Sequence, residues 1–218
     1  MSSNVKERMI QRVACELKAG MKVNLGIGLP TQVINYIPKD LPVCLHSENG
    51  ISGVGHILPY DEADRNLIDA GGGYVSRIPG TAFFDSAVSF AMVRRGRLDL
   101  TILGAFQIAQ NGDLANWIIP GLFTPGAGGA IELAQKTQRV IIMTTHQDKH
   151  GRSKIVKECT LPLTASGCVN RIYTDMAVLD ICAQGLVLKE IAQGLNVQDV
   201  IDATDAPLQI PTDNLPTF

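Results

Sequence analysis

Long apolar runs are missing from this sequence, and so is an excess of charge of either sign. No stretch approaches the roughly 18 consecutive apolar residues of a membrane-spanning helix, so no membrane association is expected. The 218 residues carry 19 basic and 21 acidic side chains, a formal net charge of −2. A nucleic-acid binder ordinarily shows a basic face, and this balance argues against one. Aromatic residues make up only 5 %, with a single tryptophan, Trp117, which is expected to pack rather than to stack on a ligand. The first eight residues are polar and lack the apolar segment of a secretory signal. The five cysteines, Cys15, Cys44, Cys159, Cys168 and Cys182, are odd in number and form no C-x-x-C pair. They read as small buried apolar residues of a reducing compartment, and a cytoplasmic location is expected. His146 and His150 are four apart, but the residues between them lack the glutamate of H-E-x-x-H. A solvated loop with no metal is expected there. G-x-S-x-G and Walker motifs are absent as well, so serine nucleophiles and P-loop chemistry are unsupported.

What is present is a globular composition, 45 % hydrophobic and 18 % charged, which excludes a disordered chain. Glycine is enriched to 21 residues, against an average usage of roughly 7 %, and it is clustered. The periodicities predict a helix over residues 5–18, with Met9, Ile10, Val13, Ala14 and Leu17 on one face and Asn4 and Glu7 as a capping box. A strand over 22–25 leads into Gly26-Ile27-Gly28-Leu29-Pro30-Thr31, and Pro30 opens a helix to about residue 37. Further strands are predicted over 43–46, 74–78, 98–103, 140–143 and 176–181, the last two buried on both faces. Helices are predicted over 61–69, after Asp85 with Val88, Ala91 and Met92 on the presented face, and over 196–203. Asn111-Gly112 marks a hairpin turn. Strands and helices alternate, as in a three-layer α/β fold. One domain, residues 1–204, is expected, followed by an extended and mobile tail, 205–218, that holds Pro207, Pro211 and Pro216.

Three segments carry chemistry. Asn24-Leu25-Gly26-Ile27-Gly28 is a strand-to-helix turn without the third glycine of a dinucleotide fingerprint. It reads either as a tight βα connection or as a turn that offers N–H groups to a phosphate or carboxylate. Ser47-Glu48-Asn49-Gly50 follows a strand, where open α/β sheets bind ligands, although an ordinary surface turn fits the pattern equally. Gly126-Ala127-Gly128-Gly129-Ala130 leads into a helix, and such glycines let backbone N–H groups approach a reacting oxygen. Arg94, Arg95 and Arg97 lie at a helix C-terminus, where cations complement the macrodipole.

Taken in order, these segments resemble the β subunit of family I 3-oxoacid CoA-transferases. The resemblance rests on 23–31, Ser47-Glu48-Asn49-Gly50, 83–90, Gly112-Asp113-Leu114-Ala115-Asn116-Trp117, 126–130, Leu161-Pro162-Leu163-Thr164 and Arg171-Ile172-Tyr173-Thr174-Asp175. It covers about residues 6–200. It implies a three-layer α/β/α sandwich of the sugar-isomerase-like type with a mostly parallel, mixed sheet. It further implies Glu48 as the nucleophile and Gly129 as the backbone oxyanion donor. Asn24, Gly26, Gly28, Asn49, Gly50 and Gly128 become CoA- or substrate-contacting positions.

By the same resemblance CoA enters as a thioester substrate and no resident cofactor or metal is needed. CoA would move between succinyl-CoA or acetyl-CoA and a 3-oxoacid such as acetoacetate or 3-oxoadipate. An α subunit is the implied partner, in a heterotetramer of two α and two β chains. Two departures stand out: Gly72 occupies the place of the family's usual lysine, and Arg94-Arg95-Gly96-Arg97 replaces its Arg-Gly-Gly-His. Two other readings stay open, a non-catalytic acyl-CoA or sugar-phosphate binding module and an isomerase or lyase with Glu48 as base.

Overall fold

The computed structural model describes residues 3–211 and 214–218. The chain begins with helix α1 (Ser3–Ala14), whose apolar stripe, Met9, Ile10, Val13 and Ala14, is buried as its spacing demands. Asn4 lies inside this helix rather than capping it, and the helix stops four residues short of the predicted end. Strand β1 (Lys22–Leu25) follows, then a 3-10 helix (Leu29–Tyr36) entered through Pro30, and strand β2 (Cys44–Ser47).

Two strands come next, β3 (Ile51–Ile57) and β4 (Val75–Phe83). Sequence periodicity misses β3 altogether, because Gly53 and Gly55 interrupt its apolar alternation. The helix expected over 61–69 is also absent. Asp64 Oδ1 accepts the Asn66 N–H at 2.9 Å, and Asp69 Oδ1 accepts the N–H groups of Gly71 and Gly73 at 2.9 and 2.8 Å. Those local side-chain bonds offer the backbone turns in place of a helix.

Helix α2 (Ser86–Arg94) is capped by Asp85, whose side chain accepts the Val88 N–H. Its buried face is Ser89 and Val93 rather than the predicted one; Val88 is exposed. Strand β5 (Leu100–Leu103), the hairpin β6 (Gln107–Ala109) and β7 (Leu114–Ala115), helix α3 (Ala130–Lys136) and strand β8 (Arg139–Met143) complete the central part. After the short β9 (Ile155–Val156) come β10 (Arg171–Tyr173), β11 (Ala177–Cys182), β12 (Gly185–Ile191), helix α4 (Val197–Asp202) and β13 (Leu208–Gln209). Asn196 and Asp199 cap α4 reciprocally.

Among the described residues, ten strands form one sheet in the order β13-β12-β11-β10-β8-β5-β1-β2-β3-β4. From β10 through β2 the five central strands run parallel, and antiparallel partners extend the sheet on both sides. Alternation in β8 shows the layering: Ile141 and Met143 join a core with α1 and the 3-10 helix, while Val140 and Ile142 join one with α2, α3 and α4. The small sheet β7-β6-β9 packs on the latter face through Ile108, Leu114 and Ile155. The fold is therefore the expected three-layer, mixed but mostly parallel α/β/α arrangement.

The described parts of the tail pair with the sheet. Strand β13 pairs with β12, and Phe218 exchanges backbone hydrogen bonds with Ile191 and Gln193. The cysteines also depart from expectation, since Cys15 and Cys182 are exposed and the other three are only half-buried.

Candidate active site

Strand β1 is the point where the chain reverses direction across the sheet, with β2 on one side and β5, reached later, on the other. Open α/β sheets form a crevice outside the carboxyl ends of such strands. Here the crevice is a cavity of about 530 Å³. Gly26 after β1, Glu48 after β2, Leu103 to Phe106 at the end of β5, and Met143 to Thr145 at the end of β8 all line it. The glycine-rich segment Gly126-Ala127-Gly128-Gly129 closes the α3 side.

Glu48 is half-buried in the turn after β2 and is held from β1. Asn24 sits in register between His46 on β2 and Thr101 on β5 and has no exposed surface. Its Nδ2 donates to Glu48 Oε2 at 2.9 Å and to the His46 carbonyl at 3.2 Å, while its Oδ1 accepts from Thr101 Oγ1 at 3.3 Å. Each neighbour therefore fixes one part of the amide, and the amide aims the carboxylate. Beneath them His46 is buried, and its Nε2 lies 3.0 Å from Ser89 Oγ on α2. Burial pushes its imidazole down to a pKa of about 4, so it is neutral near pH 7.

Gly129 faces Glu48 from the opposite wall. A Cβ built on it would lie 3.3 Å from Glu48 Cγ and 3.0 Å from two ring atoms of Phe90. Only glycine lets the main chain come this near the carboxylate. The Gly128 and Gly129 N–H groups donate to no carbonyl among the described residues, so both are available to an incoming oxygen.

The other positions singled out by sequence play different local parts. Gly28 precedes the 3-10 helix with φ 90°, and its carbonyl accepts from Thr31 Oγ1 at 2.7 Å. Asn49 points to the Ile68 carbonyl at 2.8 Å. Gly50 has φ 119°, and a Cβ there would fall 1.9 Å from the Phe84 carbonyl oxygen. These three shape the turns around the cavity rather than line it. Gly72 lies in the turn closed by Asp69, next to Gly71, whose own Cβ would stand 3.6 Å from the cavity residue Ile27. Arg94 pairs with Glu132 on α3 at 2.8 Å and braces the two helices.

His146 overturns its expectation. It is fully buried, with Nδ1 and Nε2 each 2.9 Å from a threonine hydroxyl, those of Thr174 and Thr204. Asn116, Thr144, Thr145 and Lys154 line the cavity without having been anticipated. They reach it from sequence-distant loops, and no local spacing marks them. No cluster of three metal-ligating side chains occurs among the described residues.

An α/β sheet with a carboxylate at its switch point, facing a glycine loop, defines a class of site suited to acyl chemistry on a carboxylate. Comparison with known proteins narrows the class. Residues 6–203 match the Coenzyme A transferase family model, and the chain belongs to that family. It is 45 % identical over 205 residues to the beta subunit of a probable coenzyme A transferase of Bacillus subtilis (strain 168), covering 94 % of each chain. It is 43 % identical over 206 residues to the B subunit of the succinyl-CoA:3-ketoacid coenzyme A transferase of Helicobacter pylori (strain ATCC 700392 / 26695), covering 94 % of this chain and 99 % of that one. The B subunit of the 3-oxoadipate CoA-transferase of Pseudomonas putida is 46 % identical over 204 residues, with 93 % and 95 % covered. Among solved structures, an acyl-CoA transferase from E. coli O157:H7 in a thioester complex with CoA superposes with a TM-score of 0.75 at 20 % identity. That match covers 98 % of this chain and 43 % of the longer one.

Proposed function

We propose that this chain is the catalytic β subunit of a 3-oxoacid CoA-transferase and that Glu48 carries the acyl and CoA groups during transfer. The observation that carries the reading is the arrangement of Asn24, Glu48 and Gly129, a half-buried carboxylate held by an amide on one side and closely approached by a glycine main chain on the other.

In the first step a Glu48 oxygen attacks the thioester carbonyl of the donor acyl-CoA, the C–S bond breaks, and CoA leaves as thiolate from a mixed anhydride. The thiolate then attacks the Glu48 side-chain carbonyl and expels the donor as its free carboxylate, which leaves a glutamyl-CoA thioester. The acceptor carboxylate attacks that thioester, releasing thiolate and a new anhydride. Attack of thiolate on the acceptor's acyl carbon forms the product acyl-CoA and restores Glu48. No proton, electron or water is consumed, so the thioester's energy is retained throughout. Each addition places charge on an oxygen that the Gly128 and Gly129 N–H groups can receive.

An acceptor of the 3-oxoacid class, 3-oxoadipate among them, with succinyl-CoA as donor agrees with the words in the relatives' names, a succinyl-CoA:3-ketoacid and a 3-oxoadipate CoA-transferase. Relatives named as subunits also support an α-chain partner, and a tetramer of two α and two β chains is the assembly proposed. Apolar side chains left exposed around the cavity agree with a partner closing its mouth: Ile27 is 67 % and Phe123 54 % exposed, and both line it.

The test mixes the reconstituted α/β enzyme with acyl-CoA and maps adducts by peptide mass spectrometry. A CoA-sized adduct on the Glu48 peptide, absent in Glu48→Gln, is expected. An adduct that persists in Glu48→Gln refutes the assignment. Acyl-CoA binding insensitive to Glu48→Ala, with no exchange between free acid and acyl-CoA, would instead mark a binding module.

A further inference from the structure

We propose that Lys154 recognises a second carboxylate on the acyl group being transferred, so that the site is built for dicarboxylic acyl groups. The proposal rests on the reading of Glu48 given above and adds the part of the substrate that Glu48 does not touch. Among the described residues lining the cavity, only Glu48 and Lys154 carry charge. The rest of the lining is glycine, polar neutral residues and apolar surface, including Leu29, Leu103, Phe106 and Met143.

Lys154 is aimed rather than free. It precedes β9, its backbone N–H donates to the His146 carbonyl at 2.9 Å, and its Nζ donates to Thr144 Oγ1 at 2.9 Å. Thr144 in turn gives its own proton to the Ala105 carbonyl at 3.2 Å, which leaves its oxygen as the acceptor for the ammonium. An ammonium has three N–H donors, and this arrangement occupies one. No carboxylate lies within ion-pair distance of Lys154 among the described residues.

A half-buried cation without a counter-ion loses hydration that one threonine hydroxyl replaces only in part. Burial accordingly lowers the Lys154 pKa, against the more distant attraction of Asp175 and Asp148. A substrate that brings its own carboxylate supplies the missing partner through the two remaining N–H donors. A monocarboxylic acyl group leaves the Lys154 charge uncompensated. The transferred carboxyl group meets Glu48, so only a second one is available to Lys154.

The experiment compares two four-carbon acceptors, succinate and butyrate, in the reconstituted enzyme carrying the wild-type, Lys154→Met or Lys154→Arg β chain. Wild type is expected to favour succinate. Lys154→Met should lower kcat/KM for succinate about 30-fold, the loss of one charge-assisted contact, and change butyrate less than about 3-fold. Lys154→Arg should keep the succinate preference. Equal losses for both acids, or a wild type indifferent between them, overturn the proposal even where Lys154→Met folds poorly. Calorimetric binding of succinate to wild type and Lys154→Met gives a separate readout. If succinate binding depends on Lys154 while no Glu48 adduct forms with any acid, it is the Glu48 reading that fails.

Discussion

The Asn24 amide and the Glu48 carboxylate meet at 2.9 Å, although 24 residues of chain and a strand crossover separate them. Parallel pairing of β1 and β2 makes the contact, because Asn24 stands opposite His46, two residues before the glutamate. Asn24→Ala would free the carboxylate to rotate away from Gly129. Misplacing a reacting group by about 1 Å can cost roughly 100-fold, and a loss of that order is expected in the exchange rate between free acid and acyl-CoA. Thr101 and the His46 carbonyl would also lose a partner, so the variant should be less stable by about 1–3 kcal/mol. A rate within a few-fold of wild type would show that Glu48 needs no such restraint.

Gly129 and Gly50 separate a catalytic cost from a folding cost. In Gly129→Ala the new methyl group meets Phe90, whose ring can shift, and Glu48, whose position matters. The backbone there is in the ordinary helical region. A near-native Tm with exchange reduced about 100-fold is therefore expected. In Gly50→Ala the methyl group would collide with the Phe84 carbonyl at a φ of 119°. That turn must rebuild, and a stability loss above about 3 kcal/mol is expected. Thermal melts alongside isotope exchange distinguish the two; a Gly129→Ala enzyme with unchanged turnover would show that the close approach of this glycine to Glu48 is not needed for transfer.

The elements that could be read from sequence were those whose signals are local. The β1 segment, the Asp85 cap, the short helix after Asn196 and the Asn111-Gly112 turn each depend on neighbours within a few residues, and each is where its signal predicts. Glu48 and the glycines facing it are similarly marked by short motifs. What could not be read depends on distant partners. Nothing near His146 in the chain announces Thr174 and Thr204 as its partners. Lys154 sits in a polar stretch identical in character to a solvated one, and only packing against Thr144 turns it inward. The tail looked loose because β12, which receives it, lies on the far side of α4 in sequence.

Glu16 ties helix α1 to the sheet, and its charge is expected to matter for stability alone. Its carboxylate receives the Tyr173 hydroxyl and pairs with Arg139 at 2.7 Å and Arg171 at 2.9 Å. Burial by itself would raise its pKa, but these three partners outweigh burial and hold it at about 2. Glu16→Gln keeps the shape and leaves Arg139 without an anion among the described residues, while Arg171 keeps Asp180 and Arg12 keeps Glu190. A destabilisation of about 3 kcal/mol is expected for a broken, partly buried pair. At roughly 2–4 °C per kcal/mol for a chain of this size, Tm should fall by about 10 °C. Exchange measured at low temperature should be unaffected, since none of these residues lines the cavity.

Acid should destabilise the fold in two stages, the first set by buried histidines. Thr174 Oγ1 lies 2.9 Å from His146 Nδ1 and 3.1 Å from the Ala177 carbonyl, and when its proton points to Nδ1 the imidazole needs none of its own there. Thr204 gives its proton to the Val200 carbonyl at 2.6 Å, so His146 Nε2–H donates to the Thr204 oxygen. The pocket is thus complete around a neutral imidazole. Burial lowers the pKa to about 4 for both His146 and His46, whereas an unfolded histidine titrates near 6.5. Between those values the unfolded chain binds protons that the folded chain refuses. Stability is therefore full above about pH 6.5 and falls as pH drops towards 4, by up to about 3 kcal/mol per histidine. Glu16 acts in the next window: its folded pKa is depressed, so its contribution is present above about pH 4.5 and disappears as pH approaches 2. Urea midpoints measured from pH 8 to pH 3 should show the first decline begin near pH 6.5, and His146→Gln should reduce it by about half, His46 supplying the rest. A midpoint constant from pH 7 to pH 4.5 would mean that the histidines are charged in the folded protein.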